Sequence, residues 1–161
     1  MADLRRLYQE VILDHNKKPR NFGVLEAANR HAHGHNPLCG NDYTIYAIVE
    51  DGVVRKAGFT GEGCAISKAA ASMMTARIKN KPVSDALELV NEFRLLVMGE
   101  LDPEKDEHSL GHLAVFQGVS SLPVRIKCAL LPWHALQAAL KGDGDATTEG
   151  INDPLSQGEA T

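Results

Sequence analysis

The chain has 161 residues, a formal net charge of −4, and 43% hydrophobic and 24% charged residues, the size and balance of one globular domain that buries a core without staples. So mild a charge argues against nucleic acid as a partner, no apolar run is long enough to span a bilayer, and the start Met1-Ala2-Asp3-Leu4-Arg5-Arg6 enters a charged helical pattern rather than a secretion signal. Three cysteines make no disulfide framework in this length; in a reducing cytoplasm, the expected compartment, spaced thiols serve as ligands or reactive groups.

Leu4, Leu7, Tyr8, Val11 and Ile12 recur at helical spacing, with Arg5, Arg6, Gln9 and Glu10 on the other face. This predicts an amphipathic helix ending near Asn16 to Lys18, ahead of Pro19. In Val24 to His35, the residues His31, His33 and His35 alternate, so an extended strand sends all three imidazoles to one side. They read as a solvated strand edge, with His35, the one nearest Cys39, an outlying ligand candidate. Asn36-Pro37-Leu38-Cys39-Gly40-Asn41-Asp42 then sets a thiol beside a glycine and a carboxylate.

Tyr43 to Glu50 is rich in β-branched and aromatic residues, Asp51-Gly52 is a two-residue turn signal, and Val53 to Thr60 reads as the returning strand of a hairpin. Gly61-Glu62-Gly63-Cys64 follows, its glycines allowing a sharp backbone turn, and Ala65 to Ile78 is dense in helix formers. Cys64 is thereby expected at a helix N-terminus, where the dipole and free N–H groups favour a thiolate. Lys79-Asn80-Lys81-Pro82 closes that helix, and Ser84 is the expected N-cap of the next, whose buried face carries Ala86, Leu87, Val90, Phe93, Leu96 and Val97. Gly99 to Ser109 reads as an exposed loop and Leu110 to Gly118 as a short helix. Val124 to Leu140 is a helical pattern in which Pro132 is expected to kink the chain or start a second half. Glycine, acidic and small polar residues dominate from Gly142, so the reading is a domain over 1–141 and a flexible tail over 142–161.

Three separated cysteines with a nearby carboxylate suit a tetrahedral thiolate site for Zn²⁺ or iron. Cys128, flanked by Ile126, Ala129 and Leu130, also reads as a small buried apolar residue. Cys39 and Cys64 adjoin residues whose main use is turning the backbone, which a core thiol does not need.

Asn36-Pro37-Leu38-Cys39-Gly40, Gly61-Glu62-Gly63-Cys64-Ala65-Ile66-Ser67, Ala71-Ser72-Met73-Met74-Thr75 and Leu122-Pro123-Val124-Arg125-Ile126-Lys127-Cys128 together resemble the iron–sulfur cluster assembly family of IscU and the N-terminal domain of NifU. The resemblance runs from the first helix to about Leu140. It is closer to the SufU branch, on account of the extra segment between about Gly99 and Ser121 and of Lys127, where the IscU branch usually has histidine.

The resemblance implies an α+β fold, with a small antiparallel sheet of about three strands packed against several helices and the metal site at one exposed end. It implies Cys39, Cys64 and Cys128 as ligands, with Cys39 as the sulfur-accepting nucleophile. It also implies a PLP-dependent cysteine desulfurase of the SufS type as sulfur donor. Two roles follow from it. One is a Zn²⁺-dependent sulfurtransferase acting with its desulfurase rather than as a stand-alone enzyme; the other is a scaffold that assembles a [2Fe-2S] cluster and passes it to apo iron–sulfur proteins. A zinc that only staples the fold fits poorly with glycine-rich, exposed surroundings.

In the family the cysteine-glycine pair is followed by aspartate, whereas Asn41 stands there and Asp42 comes one later. Asp42 is expected as the fourth ligand, brought inward by a β-bulge, with the Asn41 amide oxygen as the alternative. Where IscU-type scaffolds display Leu-Pro-Pro-Val-Lys to a chaperone, this chain has a single proline, and Arg125 and Lys127 flank Cys128 with positive charge that favours a thiolate or an acidic partner.

Overall fold

The computed structural model describes residues 2–36, 40–142 and 146–147. A first helix, α1, spans Ala2–Lys17, and three long strands follow, β1 (Arg30–Asn36), β2 (Asn41–Glu50) and β3 (Val53–Glu62). Then come α2 (Ala65–Ile78), the two-residue β4 (Lys81–Pro82), α3 (Val83–Val97), a run of 3-10 turns over Gly111–Ser121, α4 (Pro123–Lys141) and the two-residue β5 (Ala146–Thr147). The expected α+β architecture is present. Its three long antiparallel strands are extended by β4 and β5 into one sheet of order β4-β3-β2-β1-β5, in which only β5 runs parallel to its neighbour.

The hairpin follows from its turn. Asp51 and Gly52 both take positive φ, 54° and 74°, the conformation that matches the twist of the flanking strands. Along β2 the residues alternate strictly from Asn41 to Ile48, with Asn41, Tyr43, Ile45 and Ala47 buried. On β1, Ala32, Gly34 and Asn36 share that side, while His31, His33 and His35 face the other way, as the alternation predicts.

Helix α4 lies on the buried side. A Cβ built on Gly34 would sit 3.1 Å from the Ala135 Cβ and 3.2 Å from Leu131, so the missing side chain lets the helix press onto the strand. Further along, Trp133 stacks on Phe93 at 4.6 Å between centroids, and Phe116 meets the same Phe93 edge-on at 5.3 Å. These aromatics close the core between α3, α4 and the 3-10 run.

Three expectations change. Helix α3 begins at Val83 with Pro82 as its N-cap, not at Ser84, because Lys81 and Pro82 pair with Val54 and Val53 as a sheet edge and the chain turns directly from strand to helix. Leu89, rather than the half-buried Leu87, completes the buried face of α3. Helix α4 is one element of 19 residues with Pro132 inside it, so no second half starts there; burial of Leu131, Pro132 and Trp133 outweighs the one helical hydrogen bond that proline removes. The proposed tail lies mostly outside the described residues; within it Ala146 and Thr147 pair with Gly34 and His35. Among the described residues no helix is long and apolar enough to cross a membrane.

Candidate metal and sulfur site

Cys64 is the N-cap residue of α2, as the glycine-then-helix pattern predicts, with φ −73° and ψ 167°. The two preceding glycines do different work. Gly61 carries a φ of 129°, which favours glycine. Gly61 also needs the space, since a Cβ there would lie 2.1 Å from the Asp42 carbonyl oxygen, whereas Gly63 is needed for space alone: a Cβ there would lie 2.4 Å from Asn41 Oδ1 and 2.8 Å from both Ser67 Oγ and the Tyr43 hydroxyl.

Those three polar groups form the floor of the site. The Cys64 backbone N–H donates to Asn41 Oδ1 at 2.9 Å, so a side chain from β2 satisfies the first orphan donor of α2. The Ser67 hydroxyl donates to the Cys64 carbonyl at 3.0 Å and lies 3.6 Å from Cys64 Sγ. Tyr43, fully buried, shares a 3.0 Å hydrogen bond with Ser67 Oγ, and burial pushes its phenol up to about 12. It therefore remains protonated and can donate at any physiological pH.

Cys64 and Cys128 come together. The Cys64 thiol is pushed down to about 5, first by a hydrogen bond with Cys128, with burial opposing, and then by the Ser67 backbone, the Ser67 hydroxyl and the Ile66 backbone. Partners at a helix N-terminus stabilise a thiolate for the reason anticipated from sequence. The leading causes that lower it are Cys128 and the groups at the helix start. Cys128 is only 1% exposed, as its reading as a small buried residue expects, and it lies within hydrogen-bond reach of Cys64. It sits in the second turn of α4, and Pro132, four residues on, has no N–H with which to reach its carbonyl.

Tyr8 of α1 borders the same region. Its phenol is raised by burial and sensed by Arg125 and Cys64, and its hydroxyl is buried without a hydrogen-bond partner.

Cys39, the expected nucleophile, lies outside the described residues. Asn36 and Asn41, on either side of its loop, are opposed as the last pair of the β1–β2 ladder. Asp42 is not brought to Cys64 or Cys128, the cysteines among the described residues. The ladder is regular at this end, with Asp42 opposite His35 and Glu62 and the single register shift between Ile48 and Val49. Without a bulge, alternation turns Asp42 to the outer side of the sheet, where its carboxylate meets His33 Nε2 at 2.5 Å and His35 Nδ1 at 3.6 Å. His35 is held there with it. Asn41, the alternative, is the residue beside Cys64. It is fully buried, its oxygen engaged by the Cys64 amide and its Nδ2 without a hydrogen-bond partner, at a cost of about 1–3 kcal/mol for such a buried donor.

Among the described residues no group of three His, Cys, Asp or Glu side chains is gathered closely enough to hold an ion. Cys64 and Cys128 supply two adjoining soft donors, one already biased to the thiolate. This donor set fits a thiolate-preferring cation such as zinc. Sequence reasoning missed Ser67, Tyr43 and Tyr8. The signal for Ser67 was its place three residues after a helix N-cap, and that for Tyr43 was its shared strand phase with Asn41.

The model of the NifU-like N terminal domain matches residues 7–129. The chain is 43% identical over 152 residues to the zinc-dependent sulfurtransferase SufU of Bacillus subtilis (strain 168), covering 94% of this chain and 97% of that one. It is 37% identical over 137 residues to the iron-sulfur cluster assembly scaffold protein IscU of Thermotoga maritima, covering 85% of this chain and 94% of that one. The crystal structure of FiSufU, an iron-sulfur scaffold of the SUF system from Fervidobacterium islandicum AW-1, superposes with a TM-score of 0.77 at 34% identity, over 84% of this chain and 97% of that one.

Proposed function

The chain belongs to the NifU-like N terminal domain family, and from that premise we propose that it is a zinc-dependent sulfur acceptor of iron–sulfur cluster biogenesis, working in the cytoplasm with a PLP-dependent cysteine desulfurase. The observation that carries the reading is the meeting of Cys64 with Cys128, 64 positions later in the chain, with the Cys64 thiol pushed down to about 5. A thiolate at a helix start, held by a second thiol, is the ground state that metal binding and sulfur exchange both require.

Cys39 is the acceptor. Its thiolate attacks the terminal sulfur of the desulfurase persulfide; a new S–S bond forms at Cys39, the donor's S–S bond breaks, and the desulfurase cysteine leaves as a thiolate. One sulfur atom moves without change in total oxidation state, so no external oxidant or reductant enters. Cys39, Cys64 and Cys128 would hold zinc, which when bound keeps coordinated thiols deprotonated at neutral pH. Tyr43 and Ser67 hold Cys64 in place from below, and Asn41 fixes its backbone. Asp42, on the outer side of the sheet, reaches this group only if β2 bulges.

Similarity to the Thermotoga IscU favours a second reading, in which iron and sulfide are the cargo and a [2Fe-2S] cluster built on the same cysteines passes to apo-proteins. Metal analysis of protein purified without oxygen separates the two. A colourless protein with one zinc that stimulates desulfurase turnover, lost in Cys39→Ser, is the expected result. A brown protein with iron and acid-labile sulfide, or full stimulation by Cys39→Ser, contradicts the sulfur-acceptor reading.

A further inference from the structure

We propose that Cys64 and Cys128 form a reversible disulfide when a hydroperoxide reaches the site, Cys64 being oxidised first and Cys128 resolving it. The disulfide follows from the pairing of these two thiols alone. Its consequence, release of zinc and arrest of sulfur transfer, rests on the proposed function, because the bond withdraws two of the thiolates that would hold the metal.

The two sulfurs are neighbours before any oxidant arrives. Cys64 at the start of α2 and Cys128 in the second turn of α4 share a hydrogen bond, and the charge of each is felt at the Tyr43 phenol. Both are reduced. Their burial differs, and the difference assigns the roles. Cys64 is half-buried and within reach of a small molecule from solvent, whereas Cys128 is 1% exposed and meets it from the interior. The Cys128 thiol and the Ser67 hydroxyl, 3.6 Å from Cys64 Sγ, favour the thiolate at Cys64, which is the reactive form. Closing from hydrogen-bond reach to an S–S bond of about 2.05 Å falls to Cys64, whose backbone is extended and stands outside the helix, while Cys128 is fixed within α4.

The reaction balances with the peroxide as its oxidant. The Cys64 thiolate attacks one peroxide oxygen; an S–O bond forms, the O–O bond breaks, and the departing oxygen takes a proton from solvent and leaves as water or an alcohol. Cys64 is then a sulfenic acid. The Cys128 sulfur attacks it, the S–S bond forms, the S–O bond breaks, and the hydroxyl leaves as water with the Cys128 proton. Two electrons have passed from the pair of sulfurs to the peroxide. A thiol held beside a sulfenic acid intercepts it before the irreversible sulfinic stage, and a dithiol reductant restores the pair by exchange. Charge at this end of the molecule is mixed, with Glu62 acting on Tyr43 and Arg125 on Tyr8. No single sign draws in an ionic oxidant, and a small neutral hydroperoxide needs none.

The test treats the full chain, zinc-loaded and metal-free, with hydrogen peroxide. Remaining thiols are alkylated and a tryptic digest without reductant is mapped by mass; cleavage after Arg30, Arg55, Lys56, Lys68 and Lys127 puts the three cysteines on separate peptides. In metal-free protein the expected result is a fall from three free thiols to one, with the Cys64 and Cys128 peptides joined and released again by dithiothreitol. In Cys128→Ser the joined peptide disappears, and a cyclic 1,3-dione traps sulfenic acid on Cys64. Absence of the joined peptide in wild type overturns the inference, as does a link from Cys39 to either of the other two. Zinc-loaded protein should release its metal to a chelating dye in step with the joined peptide; zinc retained by disulfide-bearing protein overturns the regulatory consequence. A wild type that takes up no zinc overturns the zinc reading of the site instead, and the disulfide is then judged on metal-free protein by itself. Should Cys128→Ser fail to fold, the wild-type map decides alone.

Discussion

Ser67 ties the described part of the site together: its hydroxyl reaches the Cys64 carbonyl, the Tyr43 phenol and the neighbourhood of Cys64 Sγ. Ser67→Ala is expected to raise the Cys64 pKa by about one unit, the worth of one modest hydrogen bond, as read by thiolate absorbance in a pH titration of metal-free protein. No change would show that Cys128 and the backbone suffice. The same thiol links stability to pH. Its folded value, about 5, lies below the unfolded value near 8.5, so its contribution is complete above the unfolded pKa and is lost as pH falls toward 5. Metal-free Cys64→Ser should therefore lose less stability than wild type between pH 8.5 and 5 in urea denaturation. The place of Cys64 at the start of α2 was legible because two glycines and then a run of helix formers surround it. The commitment of Asn41 was not legible, because which of two adjacent residues faces inward depends on strand register, and register is fixed by pairing across β1 and β3 rather than by the local sequence.

At the level of elements, the site is held by the approach of α4 to the sheet, which Gly34 permits. Gly34→Val places two methyls where Ala135 and Leu131 already lie, and is expected to cost about 1–3 kcal/mol by overpacking. Because α4 also carries Cys128, the variant should weaken zinc binding as well, measurable by chelator competition. Unaltered affinity would mean that α4 is positioned by its other contacts. The hairpin and α2 were readable from Asp51-Gly52, from β-branched alternation and from a run of alanines. The unbroken α4 was not, because proline's local penalty says nothing of the packing that offsets it. The early start of α3 was hidden by the pairing of Lys81 and Pro82 with the start of β3, a contact nearly thirty positions away in sequence.

Across the whole molecule, acid should act through His134 as well as through Cys64. Burial lowers this imidazole from its usual 6.5 to about 4, with Arg94 adding to the shift. The unfolded chain then binds a proton that the folded one refuses, and stability falls as pH drops from about 6.5 to 4, by roughly 3 kcal/mol at most. His134→Gln should flatten that part of the stability profile; an unchanged profile would place the acid sensitivity elsewhere. The architecture itself joins elements that are remote in sequence, so that Cys64 at the start of α2 adjoins Cys128 of α4. X-ray absorption at the zinc edge of the metal-loaded protein tests that convergence most directly. The account predicts three sulfur neighbours at about 2.3 Å, falling to two in Cys128→Ser. A wild-type site with one or two sulfurs, or one that Cys128→Ser leaves unchanged, would contradict it.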